Sequence, residues 1–208
     1  DYNKAGTVGQ SISNVMVKIS EDGEVLTKGS NLMKGYYRHE DLTREVIDEE
    51  GWLHTGDVGE IDDDSYLKIT GRKKDIFKTS SGIYVYPERI ENQLKLSSFV
   101  DQVMVVGEYE DHLSALITLN KEYTLKWASR NNLPLKWKQL AANAELKSII
   151  QSEVDRYNEE TRDAHQVKAF AILADEWGID TGELTPSMKL KRQNLAKKYH
   201  QVVSSFYE

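Results

Sequence analysis

The sequence has no cysteine in 208 residues. That excludes disulfides, thiol nucleophiles and cysteine-held metals, and it fits a reducing compartment such as the cytoplasm. No apolar run approaches the ~20 residues that a membrane span needs. The opening Asp1-Tyr2-Asn3-Lys4 lacks an initiator methionine and the basic-then-apolar pattern of a secretory signal, so the chain is expected to begin inside a longer protein. Positive charge is also short: 27 Lys and Arg against 34 Asp and Glu leave a net charge of -7. This argues against a general nucleic-acid binder, while a local basic patch for a phosphorylated ligand stays open. The remainder, 39% hydrophobic and 29% charged, is the composition of a globular chain long enough to bury a core.

Hydrophobic patterning divides the chain in two. Roughly residues 1–70 read as short strands and turns. Val15 to Ile19 alternates apolar and polar residues, Glu21-Asp22-Gly23-Glu24 is a turn, and Val25-Leu26 begins the return strand. A second hairpin pairs Val58–Ile61 with Tyr66–Ile69 across Asp62-Asp63-Asp64-Ser65. Three adjacent acids invite a calcium reading, but they lack the alternating ligand spacing of a calcium loop and its later Glu, and a solvated turn is expected. From about residue 75 strands interleave with helices. Pro87 opens a helix with Ile90 and Leu94 on one face. Gln102–Val106 and Ser114–Leu119 are apolar strands around the polar turn Glu108–His112. A long helical stretch follows, with Leu146, Ile150, Val154 and Tyr157 as its buried stripe. Lys168–Leu173 returns as a strand, and a last helix carries Leu195, Tyr199, Val202 and Phe206 on one side. The expected class is α+β, a small β-rich part followed by a mixed α/β part, with the boundary in the charged stretch Gly71-Arg72-Lys73-Lys74-Asp75.

Four segments carry residues suited to chemistry. In His54-Thr55-Gly56-Asp57 the glycine permits close approach of a ligand, and the carboxylate beyond it can accept bonds from vicinal hydroxyls. Taken alone, such an Asp is more often a turn residue. In Ile69-Thr70-Gly71-Arg72-Lys73-Lys74-Asp75, Arg72 ends a strand and offers a rigid fork of donors, although an isolated charge run is usually a solvated face. Lys78-Thr79-Ser80-Ser81-Gly82 is a small-residue loop that an extended ligand can pass, without the ending of a phosphate loop. In Thr185-Pro186-Ser187-Met188-Lys189, Thr185-Pro186-Ser187 is a stiff turn with a helix-start residue, and Lys189 follows on the exposed entry to the last helix. There a cation can neutralise developing phosphoryl or carboxylate charge.

In this order and spacing the segments resemble the AMP-forming acyl- and aryl-CoA synthetase family. The resemblance is carried by Gly51-Trp52-Leu53-His54-Thr55-Gly56-Asp57, by Ile69 to Asp75, by the Ser80-Ser81-Gly82 loop running to Pro87-Glu88-Arg89-Ile90-Glu91, and by Thr185 to Lys189. Gly6 to Gln10 and Gly29 to Tyr37 add to it, so that it covers nearly the whole chain. It implies that residues 1–73 end an amino-terminal AMP-binding domain and that 74–208 form a mobile carboxy-terminal domain, with its hinge at Lys74. Asp57 would bind ribose hydroxyls, Ile69 would pack on the nucleotide, and Arg72 would contact ribose and phosphate. Lys189 would be the catalytic lysine of adenylation, and Lys78, Ser81 and Gly82 would face the CoA thiol arm.

Two positions depart from the family pattern: serine stands at 80 and 81 where glycine is frequent, and Met188 precedes the lysine in place of glycine. Met188, Gly182-Glu183-Leu184-Thr185-Pro186 and the helical segment between Lys121 and Tyr157 resemble the long-chain fatty-acid–CoA ligase branch. The implied reaction is acid–thiol ligation: a fatty acid and ATP give acyl-AMP and pyrophosphate, and CoA then displaces AMP. The phosphate-gripping segments and the ligands of the accompanying Mg2+ are expected in the amino-terminal domain, outside this chain, which alone would be inactive. Two alternatives stay open, an acyl ligase that loads a carrier-protein pantetheine and a non-catalytic nucleotide- or CoA-binding domain. Peripheral membrane association of the whole protein also stays open.

Overall fold

A computed structural model describes residues 3–134 and 136–208. Asp1 and Tyr2 of the opening run, and Leu135 within the anticipated helical stretch, lie outside the described residues. The chain forms two compact units, Asp1–Ile76 and Phe77–Glu208. The division falls just past a 3-10 turn, Lys73–Asp75.

The first unit is an antiparallel sheet of β1 (Val15–Ile19), β2 (Glu24–Gly29), β3 (Leu53–Ile61) and β4 (Leu67–Arg72), paired in that order. A short helix, α1 (Glu40–Val46), precedes β3 and buries none of its residues within this unit. Val25, Leu26 and Val58 are the buried apolar residues of the sheet. The acidic turn is tied internally. Asp62 accepts the N–H groups of Asp64 and Tyr66, and Lys4 bridges the carboxylates of Asp62 and Asp64. This is an Asx-type turn stapled by a lysine.

The second unit opens with a two-strand hairpin, β5 (Phe77–Lys78) and β6 (Tyr84–Val85), and a helix, α2 (Pro87–Leu94), started by Pro87. Its main sheet runs β7 (Val100–Val106), β8 (Leu113–Leu119), β9 (Val167–Leu173), with β7 antiparallel and β9 parallel to β8. All seven residues of β8 are buried, because it is central and covered on both faces. On one face Leu113, Ala115, Ile117 and Leu119 join Val103, Val105, Ile90 and Leu94, with Leu146, Ile150 and Val154 above them. On the other, Leu116 and Met104 meet Trp177, Leu184, Leu195 and Tyr199. Period-2 alternation therefore serves two cores at once.

Two expectations are corrected. The helical stretch between Lys121 and Tyr157 is three helices, α3 (Lys121–Arg130), α4 (Trp137–Ala141) and α5 (Ala144–Glu159). Asn120 and Asn143 cap the first and third, each accepting a backbone N–H through its side chain. The last helix is likewise two, α6 (Arg192–Lys198) and α7 (His200–Ser204), broken at Tyr199. Tyr199 leaves helical geometry while its hydroxyl donates to Asp175 and accepts from Trp177 Nε1. Among the described residues no helix is long and apolar enough to cross a membrane.

Candidate functional site

In the first unit the site begins with an irregularity in pairing. Between the pairs Leu26–His54 and Glu24–Val58, β3 advances four residues while β2 advances two. Thr55, Gly56 and Asp57 thus bow out opposite Val25. Gly56 takes φ +70, a region in which a side chain is strained. The bow removes normal ladder partners, and side chains replace them. Thr55 Oγ1 donates to the Val25 carbonyl at 2.7 Å and accepts the Asp57 N–H at 3.1 Å. The Gly56 N–H donates to Glu24 Oε1 at 2.9 Å.

Glu24 is the buried post of this arrangement, its side chain 4% exposed. Its second oxygen meets Lys73 Nζ at 2.8 Å and His54 Nδ1 at 3.0 Å. Burial pushes the Glu24 carboxyl up, but the bonds from Lys73, His54 and the Gly56 N–H outweigh it and hold the group below its ordinary value. Lys73 also meets Asp22 at 2.7 Å, drawing that carboxyl down to about 2, while the two acids raise the lysine. Sequence reasoning passed over Glu24 and Lys73. One falls in the turn Glu21–Glu24 and the other in a charge run, and no periodicity marks an acid that is buried because a neighbouring strand bulges.

The opposite edge of β3 gathers the predicted nucleotide residues. Asp57 and Arg72 are direct cross-strand partners, and Arg72 Nε donates to Asp57 Oδ1 at 2.9 Å. Pairing then slips by one residue, from Val58–Gly71 to Gly59–Ile69, so Thr70 is extra in β4. In a regular strand Ile69 and Arg72 would lie on opposite faces. With the bulge they oppose Gly59 and Asp57, two residues apart, and so share one face. Ile69 is 37% exposed there. Arg72 engages Oδ1 through Nε and reaches toward the Thr55 carbonyl with Nη1, which leaves Asp57 Oδ2 to accept from a ligand. Lys74 lies exposed in the 3-10 turn that follows.

In the second unit Lys78, Ser81 and Gly82 occupy the β5–β6 hairpin. Thr79, buried, closes its turn: its N–H donates to the Ile83 carbonyl at 3.0 Å, its carbonyl accepts from Gly82 N–H at 2.9 Å, and its hydroxyl accepts the Ile83 N–H at 3.3 Å. Gly82 has φ +77 and nothing within 4 Å of where a Cβ would stand, so the loop's outer surface is open. Ser81 is exposed, and Lys78 Nζ lies 4.5 Å from the Tyr84 ring centre. The turn from Glu108 to His112 supports the loop, with Ser80 N–H donating to Glu110 and Tyr109 N–H to Lys78.

Lys189 is not at the entry to a helix, nor does the turn Thr185-Pro186-Ser187 hold a helix-start residue, because α6 begins only at Arg192. Thr185–Lys189 is instead the tip of a small hairpin closed by a bridge between Leu184 and Leu190. Thr185 N–H donates to the Lys189 carbonyl at 2.8 Å, and its hydroxyl accepts the Lys189 N–H at 3.0 Å. Met188 takes φ +60, which is why glycine suits this position. The Lys189 side chain is exposed. Behind it Glu183 is 2% exposed and accepts from Lys198, Thr181 and the Gly178 N–H. Burial pushes the Glu183 carboxyl up, but these bonds prevail and set it at about 2.

Residues 74–208 match the family model of the AMP-binding enzyme C-terminal domain. Over 206 residues, 98% of the chain, the sequence is 37% identical to long-chain-fatty-acid–CoA ligase FadD15 of Mycobacterium tuberculosis and covers 34% of that protein. It is 34% identical to long-chain-fatty-acid–CoA ligase 5 of Rattus norvegicus over 98% of the chain and 32% of the relative. The chain thus spans about a third of the length of these curated relatives. In fold it is similar to the adenylation domain of a carboxylate reductase from Mycobacterium chelonae, with a TM-score of 0.75 and 20% identity, covering 99% of this chain and 34% of that one. The chain belongs to the AMP-binding enzyme family, whose C-terminal domain it carries in residues 74–208.

Proposed function

We propose that this chain supplies part of the active site of a cytoplasmic long-chain fatty-acid–CoA ligase. The fatty-acid carboxylate attacks the α-phosphate of ATP, forming acyl-AMP and releasing pyrophosphate. The CoA thiol, losing its proton, then attacks the acyl carbon and AMP leaves. The observation that carries the reading is the bulged face of β3 and β4. Asp57, Arg72 and Ile69 stand on it together, with one carboxylate oxygen left to accept from ribose hydroxyls. Arg72 both orients Asp57 and offers further donors to ribose and phosphate oxygens. Ile69 gives the nucleotide an apolar floor.

Adenylation gathers negative charge at the α-phosphate, and Lys189 is the cation that offsets it. The thiol step needs that lysine withdrawn and a passage for the pantetheine arm. A swing about Lys74 exchanges Lys189 for the open loop of Lys78, Ser81 and Gly82. Magnesium accompanies ATP in such a reaction. Among the described residues no cluster of His, Asp or Glu is arranged to hold a metal, and no step assigned to these residues passes through one. The phosphates and the acyl chain are assigned to an amino-terminal domain of the same protein.

The test separates the two half-reactions in the full-length protein. Lys189→Ala abolishes ATP–pyrophosphate exchange with a long-chain fatty acid and spares thioester formation from preformed acyl-AMP. Unchanged exchange would remove Lys189 from the mechanism. Replacing CoA by a pantetheinylated carrier protein in the second assay identifies the acceptor.

A further inference from the structure

We infer that Glu183 is a positioning residue for Lys189, an inference that rests on the adenylation role proposed above for that lysine. Glu183 ties down both ends of the hairpin. Its Oε2 accepts the Gly178 N–H at 3.2 Å and the Thr181 hydroxyl, and its own N–H donates to the Gly178 carbonyl at 3.1 Å. These bonds fix the approach to the hairpin. Its carbonyl accepts the Lys191 N–H at 2.8 Å, which fixes the departure. Its Oε1 accepts Lys198 Nζ at 2.9 Å, joining the hairpin's base to α6. Asn194, also on α6, donates to the neighbouring Gly182 carbonyl at 3.1 Å.

An apolar side chain would fill a buried site more cheaply than a carboxylate, which must be paired to be kept there. What the carboxylate determines is where the hairpin from Leu184 to Leu190 leaves the body of the unit. Beyond that point the hairpin is short and internally closed: Thr185 bonds both the N–H and the carbonyl of Lys189. The lysine backbone therefore moves as the hairpin base moves. A displacement of about 1 Å in a reacting group can cost on the order of a hundredfold in rate, so the base of such a hairpin governs catalysis without touching substrate.

The experiment is a cycle in the full-length protein, using Glu183→Gln, Lys189→Ala and the double variant, with both half-reactions measured. Thr181→Ala serves as the milder variant if Glu183→Gln does not fold. Glu183→Gln is expected to lower kcat for ATP–pyrophosphate exchange by about 10- to 100-fold. It should leave thioester formation from preformed acyl-AMP within about twofold of wild type and add nothing on the Lys189→Ala background. Thr181→Ala shows the same selectivity with a smaller loss. Equal loss in both half-reactions, or effects of Glu183→Gln and Lys189→Ala that multiply, would overturn the inference. If instead Lys189→Ala leaves exchange intact, the proposed function fails and takes this inference with it. If Lys189→Ala abolishes exchange while Glu183→Gln and Thr181→Ala do not affect it, only the positioning role is lost.

Discussion

The carboxylate of Glu91, in α2, receives Nη2 of Arg192 on both oxygens, at 2.8 and 2.6 Å, across 101 residues of chain. Glu91 is 4% exposed and also accepts the Val105 N–H at 2.8 Å. Burial pushes the carboxyl up, and the Arg192 charge and the Val105 N–H act against that push. One ion pair thus joins α2, β7 and the first residue of α6.

Breaking that pair from one side leaves a buried charge without compensation. Arg192→Met is expected to destabilise the second unit by about 3–5 kcal/mol. The paired replacement Glu91→Leu with Arg192→Met should recover much of that loss. Urea denaturation of the wild type and the two variants measures both.

Gly56 should tolerate a side chain in space but not in conformation. A Cβ there meets only Arg72 Nη1, at 3.9 Å, yet φ is +70. Gly56→Ala should cost about 1–2 kcal/mol of stability. Because it strains the bow that presents Asp57, it should also raise the KM for ATP more than it lowers kcat. Thermal unfolding and steady-state kinetics of the full-length protein test the two parts.

Glu183 ties stability to acid pH. Its folded value of about 2 lies below its ordinary 4.5. The folded state therefore binds the proton less readily than the unfolded one. The stabilisation is complete above the ordinary value and is lost as pH falls from about 4.5 toward 2. Lys198, and beyond it Asp175, are the charged groups packed around it. Unfolding free energy measured across that window should fall more steeply for wild type than for Glu183→Gln.

Met188 holds a left-handed conformation and is 57% exposed. Met188→Gly removes the strain but loosens the unfolded chain, so stability should change by less than about 1 kcal/mol. Met188→Val adds a β-branch in the same region and should cost about 1–2 kcal/mol. Differential scanning calorimetry of the pair distinguishes conformational strain from packing, since the side chain itself contacts little.

Where residues follow a period, the sequence was readable. Alternation in β1, the apolar run of β8 and the stripe of Leu146, Ile150 and Val154 each led to the observed element. The candidate site was legible as an ordered series of motifs. It was not legible as geometry, because its geometry comes from two departures from period, the bow at Thr55–Asp57 and the extra Thr70. Such bulges leave no hydrophobic signature. The same holds for Glu24 and Glu91, whose burial depends on partners far along the chain, and for Glu183, held by the loop before it and by Lys198 of α6. The break at Tyr199 was also hidden, since the apolar spacing from Leu195 to Phe206 suits one helix as well as two.

The burial of β8 on both faces has a consequence for how the second unit comes into being. Its parallel partner β9 follows only after residues 120–166, and the helices over its second face come later still. During synthesis β7 and β8 can pair as soon as they emerge, since their connection is short. The far edge of β8 then waits, with unpaired backbone and exposed Leu116, until the crossover is made. Closing that long segment is entropically slow. A nascent chain of this protein passes through an interval in which its most hydrophobic strand is an open edge, the period when aggregation competes with folding and a chaperone has most to shield.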